Sequence, residues 1–130
     1  MRIKLTSIMV DDQDKALTFY TDVLGFVKKQ DIPVGAYRWI TVVSPEGPGD
    51  LELALEPNAN PAGKAFQDAM FGQRIPVASF EVDDVAAECR RLKERGVAFT
   101  QEPMNAGPVT IAIFSDTCGN LIQMHAANAA

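Results

Sequence analysis

One histidine and two cysteines are all that 130 residues hold of these types, and each scarcity removes a class of function. A single histidine, His125, cannot fill several metal-ligand positions, and no serine–histidine–acid arrangement forms around it to support nucleophilic catalysis. Cys89 falls on an expected helix and Cys118 in an expected turn. A reduced pair in a reducing compartment suits them better than a disulfide, and no closely spaced cysteine pair offers a metal clasp. Positive charge is also short: 12 Lys and Arg against 17 Asp and Glu give a formal net charge of −5. That argues against non-specific nucleic-acid binding, which needs a basic surface to displace the counterions of phosphates. A neutral or cationic small molecule is the easier partner. No apolar run approaches the roughly 20 residues that span a bilayer, and the opening Met1 to Asp14 turns acidic too soon for a signal-peptide core. The expected location is the cytoplasm, with no membrane partner.

What is present is a repeat. Ser7-Ile8-Met9-Val10-Asp11-Asp12 returns 72 residues later as Ser79-Phe80-Glu81-Val82-Asp83-Asp84. In the first copy, Ile3 to Val10 alternate as a strand and Asp11 or Asp12 caps a helix. Ala16, Phe19, Tyr20, Val23 and Leu24 then form one apolar stripe, and Gly25 stops the helix. In the second copy, Val77 to Val82 is the strand, Asp83 or Asp84 the cap, Val85, Cys89 and Leu92 the stripe, and Gly96 the stop. The acid pairs are therefore helix caps rather than catalytic pairs. Arg90, Arg91, Lys93 and Arg95 are expected on the solvated face of the second helix.

Three more strands are expected after each helix: Phe26 to Ile32 (broken by Pro33 and Gly35), Tyr37 to Val43 and Leu51 to Glu56, then Ala98 to Glu102, Val109 to Phe114 and Leu121 to His125. Between the copies, Pro57 to Pro76 is expected to hold a short helix over Lys64 to Phe71, with Ala65, Phe66, Ala69 and Met70 clustered on one side. One helix per three or four strands does not suit a doubly wound parallel fold. It suits an α+β domain over 1–130, built of two βαβββ modules (about 1–56 and about 77–126) joined by a linker (about 57–76).

These residues make the chain resemble the vicinal oxygen chelate superfamily, which includes glyoxalase I, bleomycin- and fosfomycin-resistance proteins and extradiol dioxygenases. The likeness is carried by Val10-Asp11-Asp12, Ala16, Phe19-Tyr20 and Leu24-Gly25-Phe26 in the first module. Val82-Asp83-Asp84, Leu92, Gly96-Val97 and Asp116-Thr117-Cys118-Gly119-Asn120-Leu121-Ile122 carry it in the second. The resemblance implies two curled mixed sheets around a cavity with helices outside, and commonly a divalent metal held by the first and last strands of each module. Those four positions fall at Leu5, Glu52, Val77 and Gln123. A catalytic metal generally keeps three protein ligands, and leucine and valine offer no lone pair. No metal cofactor is therefore expected; if one is present, its ligands are Glu52, Gln123 and His125. The resemblance also implies a homodimer.

Glu52 is the most informative single residue. Alternation points it away from Leu51, Leu53 and Leu55, towards the side that the helices leave open. Desolvation there would raise its pKa and make it a general base or a counter-charge for a cationic ligand; a solvated carboxylate or a salt bridge to Arg38 is the other reading. Ser7, Met9, Ala54, Glu56, Val77, Ser79, Glu81, Leu121, Gln123 and His125 are expected on the same side. Ser7 and Ser79 occupy equivalent places in the two modules. The expected ligand-binding set is Ser7, Glu52, Ser79, Gln123 and His125, whereas Tyr37 and Trp39 are expected in the core. The corresponding function is binding of a small organic molecule without the family's usual metal. The alternatives are a glyoxalase I-like lyase or extradiol dioxygenase-type enzyme with a reduced or shifted metal site, and a drug-sequestering resistance protein.

Overall fold

A computed structural model describes residues 1–129. Both Val-Asp-Asp junctions work as caps, and in each the second aspartate does it. Asp12 accepts from the Lys15 amide and Asp84 from the Ala87 amide, each at 3.0 Å, which satisfies donors that the first helical turn leaves free. Strand β1 (Leu5–Val10) thus feeds α1 (Gln13–Thr18), and β5 (Ala78–Glu81) feeds α3 (Val85–Glu94). The first helix differs from the uniform α-helix its stripe suggests. After Thr18 it widens into a π turn over Phe19–Val23, with the Leu24 amide reaching back to the Phe19 carbonyl at 3.0 Å. The wider turn carries an extra residue, so the sequence neighbours Phe19 and Tyr20 are both buried. Gly25, at φ 90°, then reverses the chain, as expected of a left-handed cap.

Each half builds a four-stranded mixed sheet. The first has the order β1, β4 (Glu52–Pro57), β3 (Tyr37–Val43), β2 (Val27–Val34). The second has β5, β8 (Leu121–Ala127), β7 (Val109–Ser115), β6 (Phe99–Asn105). β1 with β4 and β5 with β8 run parallel; the other pairs are antiparallel. β2 continues through Pro33 rather than ending before it. It is an edge strand, where a missing N–H need not cost a ladder bond. Among the described residues the two sheets remain separate and close into no barrel.

The helix-side faces share one apolar core: Ile8, Val10, Ile40, Val42 and Leu55 from the first sheet, Ala112, Phe114, Ile122 and Met124 from the second. Aromatic contacts cross between the halves, Phe26 edge-on to Phe80 at 5.2 Å and Phe19 against Phe114 at 6.4 Å. Arg91, expected on a solvated face, donates to the Val23 carbonyl at 3.0 Å and so ties α3 to the first half.

The connecting helix α2 (Pro61–Gly72) reverses its expected orientation. Ala65, Phe66 and Ala69 are exposed, Phe66 by 59%, while Gln67 is 2% exposed. The helix docks through that amide: Gln67 Nε2 donates to the carbonyls of Met9 and Cys118, both at 3.0 Å, and Oε1 accepts from Asn58 at 2.8 Å. Buried carbonyls that a side chain can satisfy outweigh a modest apolar stripe. The amide lies so close to the turn before β8 that a Cβ on Gly119 would sit 2.7 Å from Gln67 Nε2, and Gly119 has φ 98°. Beneath that turn lies Asp116, fully buried. Its Oδ1 accepts from the amides of Cys118 (2.7 Å) and Asn120 (3.0 Å), and its Oδ2 from Tyr20 Oη (2.7 Å) and Asn120 Nδ2 (2.8 Å).

Candidate functional site

Register settles which side chains share the open faces. In the first sheet Leu5 pairs with Glu52, Ser7 with Ala54, Met9 with Glu56, and Thr41 with both Ala54 and Gln30. In the second, Ser79 pairs with Gln123 and Glu81 with His125. Neighbouring strands keep paired residues on one side, so these face away from the core-side residues Ile8, Leu55, Ile122 and Met124.

Ser7, Glu52 and Ser79 line one cavity of about 270 Å³, where the edges of β1 and β5 approach each other. Ile8, Phe26, Val42, Leu53, Val77 and Phe80, which belong to the core or pack against it, also line it, so the cavity reaches round the strand edges from the core side. It shares Phe26, Ser44, Ser79 and Phe80 with a larger groove of about 750 Å³, which passes Glu81, Asp83, Asp84 and Glu88 at the start of α3. Gln123 and His125 do not line the smaller cavity. They join it through Ser79: Gln123 Nε2 lies 3.0 Å from Ser79 Oγ, and Ser79 Oγ lies 2.7 Å from His125 Nδ1.

Glu52 has no cationic partner among the described residues. Arg38, one expected partner, lies on the other side of β3 and pairs with Asp31 at 2.9 Å and with Asp14. Glu52 Oε1 instead accepts from Thr41 Oγ1 at 2.7 Å and Gln30 Nε2 at 2.6 Å. These hydrogen bonds, Thr41's the larger influence, hold the carboxyl below the usual carboxylate range and outweigh desolvation. The direction is opposite to the rise expected from burial alone, and it makes Glu52 a weak base but a persistent anion. Oε2 accepts no hydrogen bond from a described residue and stays available.

Thr41 and Gln30 escaped the sequence reading. Alternation along Tyr37 to Val43 places Thr41 on one strand face, but only register sets it beside Glu52, and a bulge between Lys28 and Gln30 shifts Gln30 into line. Tyr37 and Trp39, expected in the core, lie on Thr41's open face; Tyr37 is 49% exposed and Trp39 is not buried. Their helix side is already filled by Ile40 and Val42.

The donor set does not fit the family's metal. Leu5 and Val77 have no lone pair, so the four positions supply two side-chain donors, Glu52 and the neutral Gln123 amide oxygen, short of three protein ligands. Among the described residues no three His, Cys, Asp or Glu side chains converge in a ligating group.

Comparison with known proteins agrees with this architecture. The profile of the glyoxalase/bleomycin resistance protein/dioxygenase superfamily matches residues 2–124. The uncharacterised protein YurT of Bacillus subtilis (strain 168) is 56% identical over 124 residues, covering 95% of this chain and 98% of its own. Lactoylglutathione lyase of Salmonella typhimurium is 26% identical over 126 residues, covering 95% of this chain and 91% of its own. Among solved structures, TnmS3, an antibiotic binding protein from Streptomyces sp. CB03234, superposes with a TM-score of 0.78 at 32% identity, covering 98% of this chain and 97% of that one. Paired βαβββ halves, capped at the same aspartate and joined at a cavity, together with a profile match over almost the whole length, place the chain in the glyoxalase/bleomycin resistance protein/dioxygenase superfamily.

Proposed function

We propose that the protein binds a small organic molecule in the cavity lined by Ser7, Glu52 and Ser79, and that the ligand presents an N–H donor or a cation to Glu52. The observation that carries this is the state of the carboxylate: one oxygen held by Thr41 and Gln30, the other free, no lysine or arginine paired with it. Apolar walls around one fixed polar group are the usual make-up of a small-molecule pocket. The likeness to an antibiotic binding protein at 32% identity supports sequestration of such a compound.

A metal-dependent reaction of the lactoylglutathione lyase or extradiol dioxygenase kind is the weaker reading, because leucine and valine stand at two of the four expected ligand positions. Purified protein dialysed without chelator is expected to hold far less than one equivalent of Zn, Ni, Mn or Fe; about one equivalent, lost on Glu52→Ala, would restore the metal reading.

We further propose a homodimer. Leu5, Ile32, Val34 and Tyr37 leave apolar surface on the open side of the first sheet, Leu5 being 48% exposed, and a second copy would cover it. Sedimentation as a monomer at micromolar concentration would reject this. Cytoplasmic residence is proposed because Cys89 and Cys118 are both buried free thiols; alkylation in intact cells before and after unfolding checks that they remain reduced.

Benzamidine is a suitable probe for the ligand reading, its ring matching the apolar walls and its amidinium the carboxylate. Saturable amide shifts at Ser7, Leu53 and Ala78 are expected, with affinity reduced about tenfold or more by Glu52→Gln, the equivalent of one charge-assisted hydrogen bond. Equal binding by the variant would refute the assignment.

A further inference from the structure

The second sheet carries a polar chain that the Glu52 reading does not use. Gln123, Ser79 and His125 lie on its open face, linked through Ser79 Oγ. A serine hydroxyl has one proton to give. Gln123 Nε2 already donates to Ser79 Oγ at 3.0 Å. The hydroxyl keeps its own proton, and His125 Nδ1, 2.7 Å away, is the acceptor within reach; with a proton on Nδ1 instead, Oγ would accept from both neighbours and the serine proton would have no acceptor among the described residues. With Nδ1 accepting, the neutral imidazole carries its proton on Nε2. No described residue accepts from Nε2, including Glu81, its cross-strand neighbour.

We infer that His125 is an oxygen-recognising subsite: Ser79 and Gln123 hold it in the Nε2–H tautomer, so that it donates to a carbonyl, carboxylate or phenolate oxygen of the ligand. This rests on the reading that the open faces bind a small molecule, and it adds the ligand's second chemical feature. The first sheet offers an acceptor, Glu52 Oε2, and the second offers a donor. A ligand matching both has an N–H or cationic group and a separate oxygen acceptor. His125 here is a binding residue, and no bond to it forms or breaks.

The chain has one histidine, so its imidazole nitrogens can be followed without assignment ambiguity. In ¹H–¹⁵N long-range spectra above the imidazole pKa, the wild type is expected to show the Nε2–H pattern, and Ser79→Ala to relax towards a mixture of tautomers. Benzoate is the acceptor-only probe. It is expected to shift the His125 ring resonances saturably and to bind about tenfold more weakly to His125→Phe. A wild-type Nδ1–H pattern, or benzoate affinity unchanged in His125→Phe, overturns the inference. Amide spectra of each variant check that it is folded. Benzamidine separates the two readings. If benzoate binding depends on His125 while benzamidine ignores Glu52, the cation site fails and the oxygen subsite stands; the opposite pattern removes only the subsite.

Discussion

Asp116 and Glu52 are both carboxylates held by neutral donors, without an arginine or lysine, and the difference between them separates structure from function. Asp116 is fully enclosed and takes four hydrogen bonds, two on each oxygen. Glu52 takes two, both on Oε1. The saturated carboxylate ties Tyr20 of the first half to the turn before β8 in the second, and has nothing left to offer a ligand. The half-saturated one keeps its charge and one oxygen without a donor among the described residues. The number of lone pairs left over is what marks a binding group.

The largest test of this contrast is Asp116→Ala, which orphans Tyr20 Oη and two amides and leaves Asn120 Nδ2 only its bond to the Met9 carbonyl; a loss of about 3–5 kcal/mol is expected from urea denaturation, since each buried orphan costs about 1–3 kcal/mol less whatever relaxation recovers. Glu52→Gln in the same experiment should leave the midpoint near that of the wild type. A comparable loss from both would erase the distinction.

Gly119→Ala should come next, at about 2 kcal/mol, because an alanine at φ 98° is strained and its Cβ would meet Gln67 Nε2 at 2.7 Å. Loss of the Gln67 contacts should appear as faster amide exchange in α2.

Tyr20→Phe removes a single donor to Asp116 and should cost about 1–2 kcal/mol. The wild-type tyrosine also has an alkaline signature. Burial first, and then the Asp116 charge, push its pKa well up, so the native state holds a proton that the unfolded chain releases near pH 10. Stability from this group is complete below that pH and falls as pH rises towards the folded pKa. Urea midpoints of wild type and Tyr20→Phe should therefore converge above about pH 10; parallel curves would contradict the assignment.

The smallest effect concerns Glu52 itself. Its lowered pKa means that benzamidine affinity should be full above the ordinary carboxylate range and fall only as pH drops through the lower value. Thr41→Val removes the leading cause, so the acid limb should move to higher pH. An unmoved limb would mean that Thr41 does not hold the anion.

Much of this was legible in the sequence, because two signals act locally. The repeated Val-Asp-Asp places a cap wherever it stands, and alternation from Leu51 to Glu56 puts Glu52 opposite its leucines whatever the sheet order. What was not legible depends on register and on distant carbonyls. Nothing near Gln30 announces that a bulge brings it to Glu52, and nothing in α2 says that Gln67 will reach the carbonyls of Met9 and Cys118. The expected apolar side of that helix, Ala65, Phe66 and Ala69, lost to hydrogen bonds made 58 and 51 residues away.

That loss has a practical meaning for anyone recombining the two halves. The segment Pro61 to Gly72 is fastened at position 67 rather than along a greasy stripe, so its outer surface is free to be rewritten. A version carrying Glu or Lys at 62, 65, 66 and 69 should melt as the parent does in circular dichroism, while Gln67→Leu alone should not. The linker helix is keyed at Gln67, and sequence drift can repaint its exposed face without undocking it.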